Sequence, residues 1–205
     1  IKFNLEKNIN IDNKVLKKTD ILIHCAYSFD ASSLKKSREI NVKGSKTLFE
    51  IAFKNNIKII YISSISAFEG CPSVHGRIKL EIEQLAIKYQ AIVLRPGMIY
   101  SNKVSGAIFG SLVNLVKQIP IIPLIDNGNQ ILYMCKLEML CDLIYKLSIQ
   151  KKDIRNIIVA ANNEPVKFKQ IIKMIILKYN LKRIILPFPS LIILLALKGA
   201  EKLNL

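Results

Sequence analysis

The segment "SVHGRIKLEIEQLA" holds a histidine and a lysine, His75 and Lys79, four residues apart. On a helix these two side chains share a face. An imidazole exchanges protons near neutral pH, and a neighbouring ammonium favours its neutral, basic form. The spacing therefore predicts a proton-transfer pair near the start of a helix over residues 76–90. The alternative is an exposed or hydrogen-bonded histidine that has no catalytic role.

Short apolar runs alternate with helical periodicity along the chain. Runs rich in Ile and Val predict buried strands, and apolar residues three and four apart predict helices. Strands joined through helices of this length favour an α/β fold with a parallel sheet and right-handed crossovers. Strands are predicted over 20–27, 57–64, 91–96 and 155–162, and helices over 32–56, 76–90, 136–149 and 166–179.

Chemically useful residues stand at the carboxyl ends of three predicted strands. Ligands of parallel α/β sheets bind beyond these ends, so the position predicts a binding site. Two alternatives remain open: the serines cap a turn, and the arginine pairs with a local carboxylate rather than a phosphate. The candidates are Cys25, Ala26, Tyr27, Ser63, Ser64, Arg95, Pro96 and Gly97.

Composition narrows the class of protein. The formal net charge is +16, but lysines are spread over the whole chain without an Arg-rich arm, so specific nucleic-acid binding is not expected. The four cysteines form no C-x-x-C pair and no metal-ligand spacing with histidine. The longest apolar run, Ile184–Leu197, is broken by prolines and is shorter than the roughly 20 residues of a membrane span. We expect a cytoplasmic protein without a transmembrane segment.

Several stretches, taken in order, resemble one family, the extended short-chain dehydrogenases/reductases of the NAD-dependent epimerase/dehydratase type. The resemblance covers nearly the whole chain and depends on the order and spacing of its motifs. These stretches are "DILIHCAY", "NVKGSKTLFEIA", "YISSISAF", "LRPGMIY", "IPLIDNGNQILYMCKLEMLCDLI" and "NIIVAANNEPVKFKQII".

The resemblance implies a doubly wound, Rossmann-like parallel sheet that lacks its first βαβ portion, with a small C-terminal α+β substrate region. Residues 1–100 correspond to the dinucleotide-binding portion and 101–205 to a mixed, substrate-side portion of one compact body. The implied activity is an NAD(P)-dependent epimerase, dehydratase or reductase reaction on a nucleotide-linked sugar. Family members often dimerise through the helices that correspond to 32–56 and 76–90.

The resemblance also assigns roles to residues. The family's catalytic Tyr-x-x-x-Lys motif here begins with His75 and ends with Lys79. The first position is the acid/base, and the lysine lowers its pKa and binds the nicotinamide ribose of NAD or NADP. Ser64 would polarise the substrate oxygen, and Tyr100 would lie on the substrate side. Asn41 matches an asparagine of the family's cofactor-side helix, although its residue type also suits a helix start.

Two departures from the family pattern leave two interpretations open. Histidine replaces the catalytic tyrosine, and no Gly-x-x-Gly-x-x-Gly turn occurs in the sequence. That turn's place would be upstream of Ile1, because "IKFNLEKNIN" resembles the strand and loop that follow the first two strands. The chain is therefore either an enzyme with an unusual acid/base or a catalytically inactive member that serves as a binding or scaffold protein.

Overall fold

The computed structural model describes residues 5, 11–29, 33–101, 107–150 and 157–189. It divides the chain into two compact units, one of residues 1–97 with 138–160 and one of residues 98–137 with 161–205. The sequence predicted a single boundary at residue 100. The structure instead assigns residues 138–160 to the first unit, because the strand near residue 160 pairs within the sheet of that unit.

The strands are β1 (Ile21–His24), β2 (Lys58–Ile62), β3 (Ile92–Pro96), β4 (Met98–Tyr100), β5 (Ile121–Ile125), β6 (Ile131–Leu132), β7 (Met134–Lys136), β8 (Ile157–Ala160), β9 (Val166–Lys167) and β10 (Ile184–Phe188). The helices are α1 (Asn13–Leu16), α2 (Leu34–Ser37), α3 (Lys43–Lys54), α4 (Val74–Lys88), α5 (Ala107–Gln118), α6 (Leu137–Ile149) and α7 (Phe168–Lys178). A π-helical stretch, Arg38–Val42, joins α2 to α3, and a 3-10 turn spans Asp126–Gly128.

The first unit contains a parallel four-stranded sheet in the order β1-β2-β3-β8. All four strands are short, and the two central ones, β2 and β3, are largely buried, as expected for parallel strands covered on both faces. Helices α3 and α4 pack on the sheet through Phe49, Ile78 and Ile82, which meet Tyr61 and Val93 in one apolar cluster. Burial of each such side chain stabilises the fold by about 1.5–3 kcal/mol. The predicted α/β parallel sheet is thus confirmed.

Helix α4 begins where its sequence offers a cap. The backbone N–H of Gly76 donates to Ser73 Oγ (3.0 Å), which satisfies one of the free donors of the first turn. The helix ends at Lys88, and Gln90 adopts a left-handed conformation just beyond it. The predicted range of 76–90 is therefore shifted by two residues.

In its described residues, the second unit contains three strand pairs and two helices. Strands β4 and β7 pair in parallel, as do β5 and β10, and β6 pairs with β9 in antiparallel fashion. Helices α5 and α7 enclose a core that includes Val116, Leu124 and Ile172. The helix predicted over 166–179 starts later, at Phe168, because its first two residues form β9.

Two sequence stretches extend outside the described residues. Of the apolar run 184–197, residues 184–188 form β10, and the part from residue 190 onwards lies outside. The strand and loop expected over the first ten residues lie outside as well, except for Leu5. Within the described ranges, no helix combines the length and the apolar character needed to cross a membrane.

Candidate active site

The carboxyl end of β2 is fastened to β3. The backbone N–H of Ser63 donates to the Leu94 carbonyl (2.7 Å), and that of Ile65 donates to the Pro96 carbonyl (3.0 Å). These bonds continue the sheet past Ile62 and fix Ser64, which is half-buried, at the edge where parallel sheets bind ligands.

Gly76 brings the start of α4 close to this edge. A Cβ at this position would overlap both Cys71 Sγ and the Ser66 carbonyl oxygen, so only glycine fits. The close approach places His75, the preceding residue, beside the loop that follows β2.

A chain of polar atoms links the β2 end to α4. Ser64 Oγ lies 2.8 Å from Ser66 Oγ, and Ser66 Oγ lies 3.5 Å from His75 Nδ1. The backbone N–H of Ser66 also donates to Ser64 Oγ (3.2 Å), which fixes the first hydroxyl. The predicted serine and histidine are therefore brought together, with Ser66 between them.

The imidazole of His75 lies against two aromatic rings. It stacks on Phe29 at 5.6 Å and 12°, and Tyr27 approaches it edge-on at 4.8 Å between ring centroids. Burial and the positive charge of Lys79 lower the pKa of His75 below its usual value. The ring is therefore neutral at neutral pH and able to accept a proton.

Lys79 is buried one turn further along α4. Its Nζ donates to the Ile62 carbonyl (2.8 Å) and lies 5.2 Å and 5.0 Å from the ring centroids of Tyr27 and Tyr61. Burial lowers the pKa of Lys79 to about 8, while electrostatic interactions with Cys25 and Glu83 act in the opposite direction. The ammonium is thus mostly charged at neutral pH and close to its titration range.

Arg95 forms an ion pair instead of reaching outward. Its Nε and Nη2 donate to the carboxylate of Glu83 at 2.9 Å and 2.6 Å, and Ser63 Oγ donates to the same carboxylate. The Glu83 carboxylate raises the pKa of Arg95. Of the two alternatives raised for Arg95, the structure places the arginine against a local carboxylate.

Asn41 and His24 are fully engaged inside the first unit. Asn41 Oδ1 accepts from the Ser28 N–H (2.7 Å) and its Nδ2 donates to the Ser28 carbonyl (3.0 Å), which clasps the segment after Tyr27. His24 Nε2 lies 2.7 Å from Ser45 Oγ, and burial, with the charge of Lys79, lowers its pKa to about 4. His24 is therefore a neutral core histidine.

The remaining predicted residues of the first unit lie at strand ends. Cys25 and Ala26 are exposed directly after β1. The Pro96 carbonyl accepts from Ile65 N–H, and Gly97 N–H donates to the Ala160 carbonyl (3.1 Å), so both backbones are used in the sheet.

Tyr100 belongs to the second unit, where it lines a cavity of about 480 Å³. Its ring lies 5.9 Å from that of Phe109. Two amides, Asn114 and Asn162, also face the cavity, and Lys117 Nζ lies 3.7 Å from the ring centroid of Tyr179. The cavity combines aromatic and apolar walls with a few polar groups, as small-molecule sites do.

Sequence reasoning missed Ser66 and Glu83. Ser66 stands two residues after Ser64, and Glu83 continues the four-residue spacing from His75 and Lys79. Both spacings were available signals, but the partners of these side chains depend on how α4 packs against the sheet.

No protein-family model matches the chain, and a search of curated proteins finds no match. Solved structures do match. The fold is similar to that of dTDP-4-dehydrorhamnose reductase from Bacillus anthracis, in complex with NADP, with a TM-score of 0.72 and 20% identity over 86% of this chain and 69% of that chain.

Two further structures share the fold. For ADP-L-glycero-D-manno-heptose-6-epimerase from Helicobacter pylori the TM-score is 0.74, with 16% identity over 92% of this chain and 67% of that chain. For an NAD-dependent NDP-hexosamine 5,6-dehydratase involved in tunicamycin biosynthesis it is 0.72, with 12% identity over 91% and 68%. The predicted Rossmann-like fold is confirmed, and at the level of fold so is the resemblance that the motifs suggested.

Proposed function

We propose that the protein is an NAD(P)-dependent epimerase, dehydratase or reductase that acts on a nucleotide-linked sugar. The observation that carries this proposal is the polar chain from Ser64 through Ser66 to His75, beside the buried Lys79. The named activities of structures with the same fold support it.

Ser66 extends the short reach of the histidine that stands in place of the family's tyrosine. Imidazole is shorter than phenol, and about 1 Å of misplacement costs roughly a hundredfold in rate. In the proposed mechanism the reacting hydroxyl of the substrate gives its proton to Ser64 Oγ, while the Ser64 proton moves to Ser66 Oγ and the Ser66 proton moves to Nδ1 of His75. Both serines end the step as neutral hydroxyls. The lowered pKa keeps the imidazole in its accepting form. In the reverse direction the imidazolium returns the proton along the same chain.

Lys79 would hold the nicotinamide ribose of NAD or NADP. One of its three N–H groups is used on the Ile62 carbonyl, which leaves two donors without an acceptor among the described side chains and backbone groups. Ribose hydroxyls are acceptors of the matching kind, so the donor set fits. When bound, the cofactor supplies the hydride acceptor and donor. The Lys79 charge also favours the neutral imidazole of His75.

We further propose that the cavity of the second unit, taken by itself, binds a nucleotide. The aromatic walls of Tyr100 and Phe109 suit a flat base, and the amides of Asn114 and Asn162 can pair with its polar edge. Lys117 supplies a positive charge for the diphosphate.

A homodimer formed through 32–56 and 76–90 is part of the proposal. Phe53 on α3 and Ile87 on α4 are large apolar side chains exposed on these two helices. An apolar pair of helix faces is the kind of surface that a second copy covers.

The test is turnover of UDP-, dTDP- and ADP-linked sugars by the purified protein with NAD or NADP, followed by product chromatography and cofactor absorbance. We expect one sugar class to be converted, and a Lys79→Met variant to convert it at a small fraction of the wild-type rate. Binding of cofactor and nucleotide without any turnover would overturn the proposed enzymatic activity and favour the alternative of a binding protein.

A further inference from the structure

Three residues spaced by four, His75, Lys79 and Glu83, form one face of α4 and reach three different atoms near the end of β2. His75 meets the hydroxyl of Ser66, and Lys79 donates to the Ile62 carbonyl. Glu83 accepts from the hydroxyl of Ser63, next to Ser64. One helical face is thus attached to the strand end at three successive turns.

Glu83 is the deepest of the three attachments. Its side chain is 1% exposed, and it accepts from Ser63 as well as from two nitrogens of Arg95 on β3. The carboxylate therefore ties together α4, the end of β2 and the end of β3. A buried ion pair is weak grounds for stability, because desolvation offsets much of its attraction. The bond from Ser63, which directly precedes Ser64, to this pair points to another role.

We propose that Glu83 is a positioning residue. It fixes the loop after β2 that carries Ser63, Ser64 and Ser66 (the serine loop) against α4 and so sets the distance between Ser64 and His75. This inference rests on the proposed function of that site. Glu83 lies outside the series of polar atoms formed by Ser64, Ser66 and His75, and outside the region where a substrate would bind. It acts through Ser63 and the backbone that leads to Ser64.

The same helix offers a matched control. Glu81 accepts from Nε (2.9 Å) and Nη2 (2.6 Å) of Arg38, the same two-nitrogen geometry as in the Glu83–Arg95 pair. The side chains of Arg38 and Glu81 are 54% and 30% exposed, and among the described residues neither one is shown bonded to a strand end. Glu81→Gln therefore removes an equivalent ion pair from α4 without loosening the serine loop.

The first readout is steady-state kinetics of Glu83→Gln and Glu81→Gln. We expect Glu83→Gln to lower kcat at least about tenfold with KM changed less than about twofold, since misplacement affects the reacting atoms more than binding. Glu81→Gln should stay within about twofold of wild type in both constants. Equal kinetics for the two variants would overturn the proposal.

The second readout does not need turnover. The chain has two histidines, so ring NMR gives one signal set for His75 and one for His24, which reports on the intact core. We expect Glu83→Gln to move or broaden the His75 signals and leave His24 in place, and Glu81→Gln to change neither.

If wild type converts no substrate, the proposed function fails, yet this readout still decides the role of Glu83. If Glu83→Gln does not fold, Ser63→Ala removes one contact only and should move His75 in the same way; unchanged His75 signals in that variant would refute the positioning role.

Discussion

At the scale of single residues, the surroundings of His75 determine what the imidazole can do. Two aromatic rings and the nearby Lys79 keep it neutral, and Ser66 extends its reach toward Ser64. A histidine of the core would instead resemble His24, which is enclosed, bonded to Ser45 and held neutral down to about pH 4.

Ser66→Ala tests the polar chain directly. The variant removes the hydroxyl between Ser64 and His75, and proton transfer by a positioned group contributes at least about a hundredfold. We expect kcat to fall by roughly that factor with little change in thermal stability, measured by steady-state assay and melting. Ser148→Ala is the control, because its hydroxyl bonds only within α6. Wild-type kcat in Ser66→Ala would exclude the serine as a relay.

Lys79 predicts a pH dependence of stability. Its pKa is about 8 when folded, against about 10.4 in an unfolded chain, so between these values the unfolded state binds more protons. Stability from this group therefore rises with pH across that window. Relative to Lys79→Met, we expect wild type to gain about 2 kcal/mol between about pH 7 and about pH 9.5. Urea unfolding at several pH values measures this, and parallel pH profiles of the two proteins would refute the buried, charged lysine.

Sequence reasoning named candidate site residues but not the partners of their side chains. The spacing of His75 and Lys79 and the strand-end position of Ser64 were enough to place these three together. Arg95 and Asn41 turn instead to Glu83 and Ser28, and both choices depend on packing between α4, the π-helical stretch and the sheet. Such packing lies beyond local periodicity.

At the scale of elements, periodicity predicted the sheet and its helices well. All four strands of the first sheet were expected from apolar runs, and the ends of α4 differ from the prediction by two residues. The short strand β9 was read as helix, because two residues form a strand only through pairing with β6. The π-helical stretch within 32–56 was also missed, since a change to i→i+5 hydrogen bonds over only five residues is not visible in an amphipathic pattern.

Gly76→Ala tests the close approach of α4 to the strand end. The added methyl would overlap Cys71 and the Ser66 carbonyl, and overpacking of this kind costs about 1–3 kcal/mol. We expect lower stability in urea unfolding, together with a fall in kcat because His75 moves with the helix. The pair Arg77→Gly and Arg77→Ala, at the exposed neighbouring position, differs by the same Gly-to-Ala change in helix propensity and controls for it. A variant as stable and active as wild type would mean that α4 does not need this contact.

At the scale of the whole molecule, each of the two units is made of two separate stretches of the sequence. Residues 138–160 return to the first sheet after the second unit has begun, since β8 pairs with β3. The motifs predicted this late strand and helix but not their assignment to a unit. The cavity of the second unit was likewise unforeseen, apart from Tyr100, because its lining comes from residues far apart in sequence.

A tryptophan probe tests nucleotide binding in that cavity. The chain has no tryptophan, and Met174 on α7 lines the cavity while remaining largely exposed, so Met174→Trp should fold. We expect its fluorescence to change and saturate as UDP or dTDP is added. Leu177→Trp, exposed on the same helix and outside the cavity lining, should not respond. Identical responses from both probes would count against a nucleotide site there.

The most direct test of the central claim is the turnover rate of His75→Gln and His75→Tyr beside wild type, with the sugar nucleotide that wild type converts. If His75 carries the substrate proton, His75→Gln loses roughly a hundredfold or more in kcat, because the amide cannot accept the proton. His75→Tyr should raise turnover above wild type, since a phenol beside Lys79 reaches further than an imidazole. Wild-type turnover in His75→Gln would contradict a catalytic role of His75 and show that this residue takes no part in proton transfer.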